Sequence, residues 1–132
     1  MNRTPQLWAD LEKDEVTLRE ACGNTVRNVT ASETSGIDPN EPFDVSPYAE
    51  AVFKFFLRNP ICQEMGRKFK VSFSSSDEDT GLSYMHDLGF IAKIQNGVRG
   101  FKVMLGGGLG SQPRHADALY SFLPSDKIIP VM

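Results

Sequence analysis

The chain has 132 residues, a length that fits one folded domain and leaves little room for a second. Its apolar fraction of 40% and charged fraction of 23% are typical of globular proteins and argue against disordered, fibrous and membrane-embedded classes. Because the net charge is -3, the chain has no overall positive field that would attract nucleic acid or an anionic membrane. The sequence shows neither a secretory signal nor an apolar run long enough to span a membrane. We therefore expect a single cytoplasmic domain over residues 1–132.

The first quarter of the chain predicts two short helices and then a strand. Thr4-Pro5 combines an N-cap residue with a proline at the first helical position, which predicts a helix there. The spacing of Thr17 and Glu20 is that of a capping box, and Gly23 is a suitable stop, which predicts a helix of about two turns. Residues 25–32 are rich in β-branched side chains, and 33–47 read as a long loop.

The next helix carries the clearest pattern in the sequence. Ser46-Pro47 repeats the pairing of a cap with a proline, and Asn59-Pro60 ends the segment. Apolar side chains recur at helical spacing between them and predict one buried stripe, formed by Tyr48, Ala51, Val52, Phe55 and Phe56.

From residue 68 the period changes to two, which indicates a strand. Phe69, Val71 and Phe73 point to one side, while the polar residues Lys68, Lys70, Ser72 and Ser74 point to the other, which we expect to be wet. Residues 88–94 and 101–105 alternate in the same way around Asn96-Gly97 and predict a hairpin. Residues 116–123 carry a weak helical stripe, and the final apolar run 128–132 indicates either a cut from a longer chain or packing back onto the sheet.

Two lysines form the first group of candidate binding residues. The period of two directs the side chains of Lys68 and Lys70 to the same side of the strand, so each ammonium group raises the free energy of the other. An anion between them would relieve this repulsion. The alternative is a solvated edge strand that uses lysine against aggregation.

A lone arginine in the first strand segment is the second candidate. Arg27 stands beside Asn28, outside any charged run, and its guanidinium could fork onto an oxyanion or a carboxylate. It could equally pair with Asp38 or Glu41.

A glycine run at 106–110 follows the last predicted strand of the hairpin. Its backbone could approach a flat or charged ligand and form an anion-binding nest, or it could be a flexible turn. It lacks the spacing of nucleotide-binding loops, so an enzyme that binds a nucleotide phosphate there is a weaker alternative.

Cys22 and Cys62 are too few and too far apart to hold zinc or an iron-sulfur cluster, so we expect both to be at least half-buried and no metal to be bound. His86 and His115 are isolated, and we assign them no catalytic role.

Six stretches, taken together and in order, resemble the sirohaem-dependent nitrite and sulfite reductase family. They are EACGNTVRNV at 20–29, GIDP at 36–39, RKFK at 67–70, DLGF at 87–90, GF at 100–101 and GGGLG at 106–110. The resemblance implies an α+β fold, a mixed β-sheet with helices packed on one side, as in the sirohaem domains of that family. It also implies that the 132 residues are a partial domain from a longer chain.

The resemblance further implies roles for individual residues. Arg27, Lys68 and Lys70 correspond to the family's cationic side chains that bind the oxyanion over the sirohaem iron. Arg67, Asn28, Gly106, Gly107 and Gly108 are implied contacts of the cofactor. Clustered cations suit this chemistry, because six-electron reduction of an oxyanion requires anion binding and repeated proton delivery.

Lys70 and Leu109 favour a sulfite reductase, since plant-type nitrite reductases resemble R-K-W-N where this chain has R-K-F-K. The alternatives are a nitrite reductase of the same family and a non-catalytic module that binds sirohaem or an anion. The family's four cluster-binding cysteines have no counterparts here, and the sequence also departs from the family pattern at Gly66, Lys102 and 31–33. The resemblance therefore implies that sirohaem and a 4Fe-4S cluster are bound by the full-length enzyme. It implies that the partners of this chain are the remaining domains and a ferredoxin or flavoprotein that donates electrons. It also implies that the isolated chain is inactive.

Overall fold

The structure is a computed structural model that describes residues 2–16, 18 and 20–132. Its helices are α1 (Thr4–Lys13), α2 (Ser46–Phe56) and α3 (Ile128–Val131), and its strands are β1 (Val26–Ala31), β2 (Phe69–Ser74), β3 (Leu88–Gln95), β4 (Val98–Leu105) and β5 (Asp117–Pro124). Short 3-10 turns lie at Pro60–Cys62, Ser83–Met85 and Ser125–Lys127. Among the described residues, no helix combines the length and apolar character that a membrane crossing needs.

The strands form one five-stranded mixed sheet in the order β1-β2-β3-β4-β5. β1, β2 and β3 are parallel, whereas β4 and β5 are each antiparallel to the preceding strand. α2 lies within the crossover from β1 to β2, as a parallel connection requires. The predicted α+β fold is confirmed. Since β2 lies between two neighbours, the alternative of a solvated edge strand for its lysines is wrong.

One face of the sheet carries the main core. Phe73, Phe90 and Phe101 are fully buried there, and the rings of Phe73 and Phe90 stack with their centroids 4.7 Å apart. α2 covers this face through Ala49, Val52 and Phe56. The predicted stripe is correct for Val52, Phe56 and the half-buried Tyr48, and wrong for Ala51 and Phe55, which are exposed.

The final apolar run packs onto the same core. Ile128 is 3% exposed, and Ile129, Val131 and Met132 contact the buried cluster. Of the two explanations that the sequence left open for this run, packing back onto the sheet is what the structure shows.

The opposite face of β2 is not wet, contrary to the prediction. Ser72 and Ser74 are fully buried because the connection 75–87 crosses this face. The Ser74 hydroxyl donates to Asp79 Oδ1 at 2.5 Å and lies 3.0 Å from the Ser83 hydroxyl, and Ser72 donates to the Gly81 carbonyl. Hydroxyls that are paired in this way can be buried at little cost. The bonds fix the path of the chain into β3.

The start of α2 is capped by Asp44 rather than by Ser46. Ser46 is already helical, and Asp44 Oδ1 accepts hydrogen bonds from the Ser46 backbone N–H and the Ser35 hydroxyl, each at 2.8 Å. The bond from the Ser46 amide is the main cause of a lowered Asp44 pKa, with the Ser46 and Ser35 side chains adding to it. Thr4 is likewise inside α1, so neither predicted N-cap is correct.

Asp44→Asn is expected to lower the free energy of unfolding at pH 7 by less than about 1 kcal/mol, since solvent screens this largely exposed carboxylate. The folded-state pKa lies below the unfolded value, so the stabilisation is present at neutral pH and is lost as pH falls below about 4. Urea unfolding at pH 7, 5 and 3 measures this. The difference in stability between the two proteins should be smaller at pH 3 than at pH 7. Asp14→Asn serves as a control of equal charge change at an exposed site. A difference that does not change with pH would contradict the capping role.

The second predicted helix is wrong where the structure describes it. Residues 20–25 form a turn and bends, while Thr17 and Arg19 lie outside the described residues. Cys22 is exposed and Cys62 is half-buried, so the expectation of burial fails for Cys22.

The β3-β4 hairpin is confirmed, and its two-residue turn uses left-handed backbone at Asn96 (φ 52) and Gly97 (φ 77). Residues 117–124 form β5 rather than a helix. Pairing with β4 outweighs the weak helical stripe, because β structure is decided mainly by non-local contacts.

Candidate functional site

Three chain segments, two of which carry predicted binding residues, meet at one end of the sheet. β2 and β3 are parallel, so both begin at this end, and β4 is antiparallel, so it finishes there with Leu105 opposite Leu88. The residues before β2, before β3 and after β4 are therefore neighbours in space. The sheet topology, rather than proximity in sequence, builds the site.

These segments enclose a pocket of about 500 Å³, which we call the basic pocket. Its cationic side chains are Arg67, Lys68 and Lys70, and its one carboxylate is Asp87. The remaining lining residues are Met85, His86, Gly107, Gly108, Leu109, Gly110, Ser111 and Gln112. Three positive charges against one negative charge make the pocket suited to an anion.

The strand ends that carry these charges are tied together. The Lys70 backbone N–H donates to Asp87 Oδ2 at 2.8 Å, which links the start of β2 to the start of β3. The ion pairs among the described residues use other cations, namely Lys13, Lys54, Lys93, Arg114 and Lys127. The charges of Lys68 and Lys70 therefore remain available to a ligand, and Lys70 is half-buried.

The glycine run is an ordered loop rather than a flexible turn. The Gly106 N–H donates to the Asp87 carbonyl at 2.9 Å, and Gly108 exchanges two backbone bonds with Arg114 at 2.9 and 3.0 Å. A Cβ atom at Gly107 would lie 2.6 Å from the carbonyl oxygens of both Tyr84 and His86. Gly107 is thus required by close contact with the segment before β3. Gly107 and Gly108 line the basic pocket, whereas Gly106 supplies the left-handed backbone (φ +89) at the start of the loop.

Arg27 does not join the two lysines. It lies at an irregularity in the pairing of β1 with β2, and its side chain turns toward α2, where it lines a separate cavity of about 50 Å³ with Glu20 and Phe56. Its Nη2 donates to the Ala21 carbonyl at 2.9 Å. The prediction that all three cations converge is therefore wrong for Arg27.

Two further expectations near Arg27 can be compared with the structure. Asp38 accepts a hydrogen bond from the Asn40 backbone N–H, and Glu41 accepts one from the Gly36 backbone N–H. Neither carboxylate forms an ion pair with Arg27 among the described residues, so the alternative of an ion pair is wrong. Asn28 is exposed and stands opposite Lys70 in the β1-β2 register. It is close to the basic pocket without being part of its lining.

The sequence reasoning missed His86. This residue lines the basic pocket, and its Nδ1 lies 2.9 Å from the Leu82 carbonyl oxygen. His86 lies just before β3, which is parallel to β2. Its position beside the lysines could therefore have been predicted only if the strand order had been known.

Metal ligands do not gather among the described residues. Among them, no group of three or more His, Cys, Asp or Glu side chains could hold a metal ion. Their two free cysteines, Cys22 and Cys62, are fewer than the four thiolates that a 4Fe-4S cluster needs, so the described residues do not fit such a cluster.

The sequence matches the nitrite and sulphite reductase 4Fe-4S domain family over residues 22–132. The chain belongs to this family. Its members are oxidoreductases, and the matched relatives include both nitrite and sulfite reductases. The resemblance seen in the sequence is therefore confirmed at the level of the family.

Two relatives show the range of the family. An assimilatory ferredoxin-dependent nitrite reductase of Haloferax mediterranei is 32% identical over 128 residues, which cover 93% of this chain and 22% of the relative. A ferredoxin sulfite reductase of Mycolicibacterium paratuberculosis is 29% identical over 126 residues, 94% of this chain and 22% of the relative. The chain thus spans less than a quarter of the length of these relatives.

A solved structure supports the same architecture. The Mycobacterium tuberculosis NirA protein superimposes with a TM-score of 0.80 at 23% sequence identity, over 96% of this chain and 23% of NirA. This likeness shows that the chain shares the fold of the matched part of NirA.

Proposed function

We propose that this chain is the oxyanion-binding part of an assimilatory-type sulfite reductase, which reduces sulfite to sulfide by six electrons at a sirohaem. The observation that carries the proposal is the basic pocket, where Lys68 and Lys70 lie beside an ordered glycine loop. An oxyanion between the two ammonium groups would accept charge-assisted hydrogen bonds and remove their mutual repulsion.

The described residues also fit the rim of a sirohaem. This cofactor carries many carboxylates, and Arg67 and the backbone N–H of Gly107 could donate hydrogen bonds to them at the pocket wall. Gly108, whose own N–H is bonded to the Arg114 carbonyl, would contact the cofactor through its bare Cα. When bound, sirohaem would supply the iron that holds the substrate and passes electrons to it. The residues of this chain would bind the anion, orient it and hold protons at the lysine Nζ atoms.

Arg27 remains part of the proposal as a further contact to the oxyanion. This role requires its side chain to leave the Ala21 carbonyl and turn from the α2 face toward the lysines. A bound dianion would favour that change, because a charged ligand binds a guanidinium more strongly than a neutral carbonyl does. Asn28, opposite Lys70, is proposed as a polar contact of the cofactor on the same side.

The proposed substrate is sulfite, with nitrite as the alternative within the same family. Lys70 and Leu109 match the sulfite-type pattern, and Lys70 lines the pocket with its charge available. Relatives of both kinds are ferredoxin-dependent by name, which supports ferredoxin as the electron donor. The ratio of kcat/KM for sulfite and nitrite, measured on the polypeptide that carries the remaining domains, tests this choice.

The isolated chain is expected to be folded, colourless and inactive, because its described residues offer no ligand set for a cluster and it spans less than a quarter of its relatives. Purified chain supplied with reduced methyl viologen and sulfite should form no sulfide and show no Soret band. The longer polypeptide should form sulfide under the same conditions. Sulfide production by the isolated chain would contradict the proposal that it is only one part of the catalyst.

A further inference from the structure

We propose that His86 is an additional anion contact in the basic pocket, made by the charged form of its ring. The inference rests on the proposed function, because it concerns the same pocket, and it assigns a role to a side chain that sequence reasoning set aside. The ligand class is an anionic oxygen, either of a free oxyanion or of a cofactor carboxylate.

The hydrogen bond of the ring fixes which nitrogen can serve this role. His86 Nδ1 lies 2.9 Å from the Leu82 carbonyl oxygen, and a carbonyl only accepts, so Nδ1 carries a proton in the neutral as well as the charged imidazole. Nε2 is therefore the atom that gains or loses the second proton. Since His86 lines the basic pocket and its Nδ1 is held by the Leu82 carbonyl, Nε2 is the ring nitrogen left for a ligand.

The position of the ring is set by rigid neighbours. The Ser83–Met85 turn before it is anchored by Asp79, whose Oδ1 accepts the Ser83 N–H at 2.7 Å. After it, the Asp87 side chain is bonded to Lys70 and the Asp87 carbonyl to Gly106. On a third side Gly107 packs directly on the His86 carbonyl. The backbone that carries the ring is therefore fixed before a ligand binds, and the ring itself is held by the bond at Nδ1, which lowers the ordering cost of a contact.

The charges around His86 give the inference its pH dependence. Arg67, Lys68 and Lys70 face the pocket from the β2 side, Asp87 is adjacent on β3, and the glycine-loop residues that line the pocket are uncharged. Tyr84 belongs to the preceding turn, and its hydroxyl accepts from Lys102 on β4. The imidazolium form of His86 would add a fourth positive charge beside these three, and a lower pH favours that form.

Sulfate is the probe that tests the inference on the 132-residue chain, because it keeps its double charge from pH 6 to pH 8. Calorimetric titration should give a ratio of the Kd at pH 8.0 to the Kd at pH 6.0 that is clearly above one. His86→Gln should remove this ratio and match the unsubstituted chain at pH 8.0. His115→Gln, which changes an exposed histidine outside the pocket lining, should keep the ratio.

A second arm with uroporphyrin I, a tetrapyrrole with carboxylates only, separates the two sources of anionic oxygen. If the ratio of the Kd values at the two pH values depends on His86 with sulfate, the contact is to a free oxyanion. If such a ratio is seen only with uroporphyrin, the contact is to the rim of the cofactor. A ratio that survives His86→Gln, or no ratio with either probe, would overturn the inference while leaving the anion pocket intact. Absence of saturable binding of both probes at both pH values would overturn the pocket itself, and the inference with it.

A measurement that needs no substitution guards against misfolding of the variant. The NMR signal of the His86 ring should titrate at higher pH in saturating sulfate than without it, because the bound anion favours the charged ring. An unchanged titration midpoint at His86 in saturating sulfate would contradict the proposed contact.

Discussion

Replacing Lys68 and Lys70 together by glutamine is expected to weaken sulfate binding to this chain by about a hundredfold. A hydrogen bond to a charged group contributes about 1.5 kcal/mol or more, which corresponds to roughly tenfold in affinity for each lysine. The two charges lie on the same side of β2 and line one pocket, so both contacts are lost at once. Calorimetric titration with sulfate measures the change.

Lys54→Gln is the matched control for this pair. Lys54 lies on α2, where it forms an exposed ion pair with Glu50, and its replacement removes one of the two charges that the double variant loses, from a site outside the pocket lining. Its effect on sulfate affinity should stay within about twofold, since exposed charges are strongly screened. If the double lysine variant bound sulfate as well as the Lys54→Gln chain, the two lysines would not form the anion site.

Gly107→Ala is expected to destabilise the chain by about 3 kcal/mol and to weaken anion binding as well. The new methyl group would meet the Tyr84 and His86 carbonyl oxygens at 2.6 Å, and both belong to backbone that is held by other bonds. Overpacking against a backbone that cannot move is costly, and relief requires the glycine loop or the segment before β3 to shift. Urea unfolding gives the loss of stability, and sulfate titration gives the loss of affinity.

The next glycine provides the control. A Cβ atom at Gly108 would point into open space among the described residues, and Gly108 lines the same pocket. Gly108→Ala should therefore change the free energy of unfolding by less than about 1 kcal/mol. Equal destabilisation by the two substitutions would show that backbone flexibility, rather than contact with the segment before β3, explains the glycine at 107.

The strands were predictable where alternation and turn residues agree. The period of two in residues 68–74 predicted β2, and Asn96-Gly97 predicted the hairpin between β3 and β4. Both signals are local, since side-chain alternation and left-handed turn residues act over a few positions. Residues 117–124 lacked such a signal, and only pairing with β4 makes them a strand.

The burial of Ser72 and Ser74 could not be predicted from their polarity. It depends on the connection 75–87 folding across the sheet and on Asp79, Ser83 and Gly81 supplying hydrogen-bond partners. Each partner is separated in sequence from the serine that it pairs with. The alternating pattern does not reveal these partners, so it predicted that both hydroxyls would be exposed to solvent.

The site was predictable in its residue types more than in its geometry. The lysine pair and the glycine run were identified from the sequence, and the structure brings Lys68, Lys70, Gly107 and Gly108 around one pocket. The direction of Arg27 depends on an irregularity in the β1-β2 pairing, which no local pattern reveals. His86 was missed because its neighbourhood exists only once β2 and β3 are parallel neighbours.

The most direct test of the basic pocket is a sulfate titration of the unsubstituted chain followed by NMR of its backbone amides. Saturable shifts should concentrate at residues 67–70, 85–87 and 107–112, the segments that line the pocket. Amides of α1 and of the β3-β4 turn, at the far end of the sheet, should stay unchanged. Shifts that do not saturate, or that centre on another surface, would contradict the assignment of this pocket as the anion site.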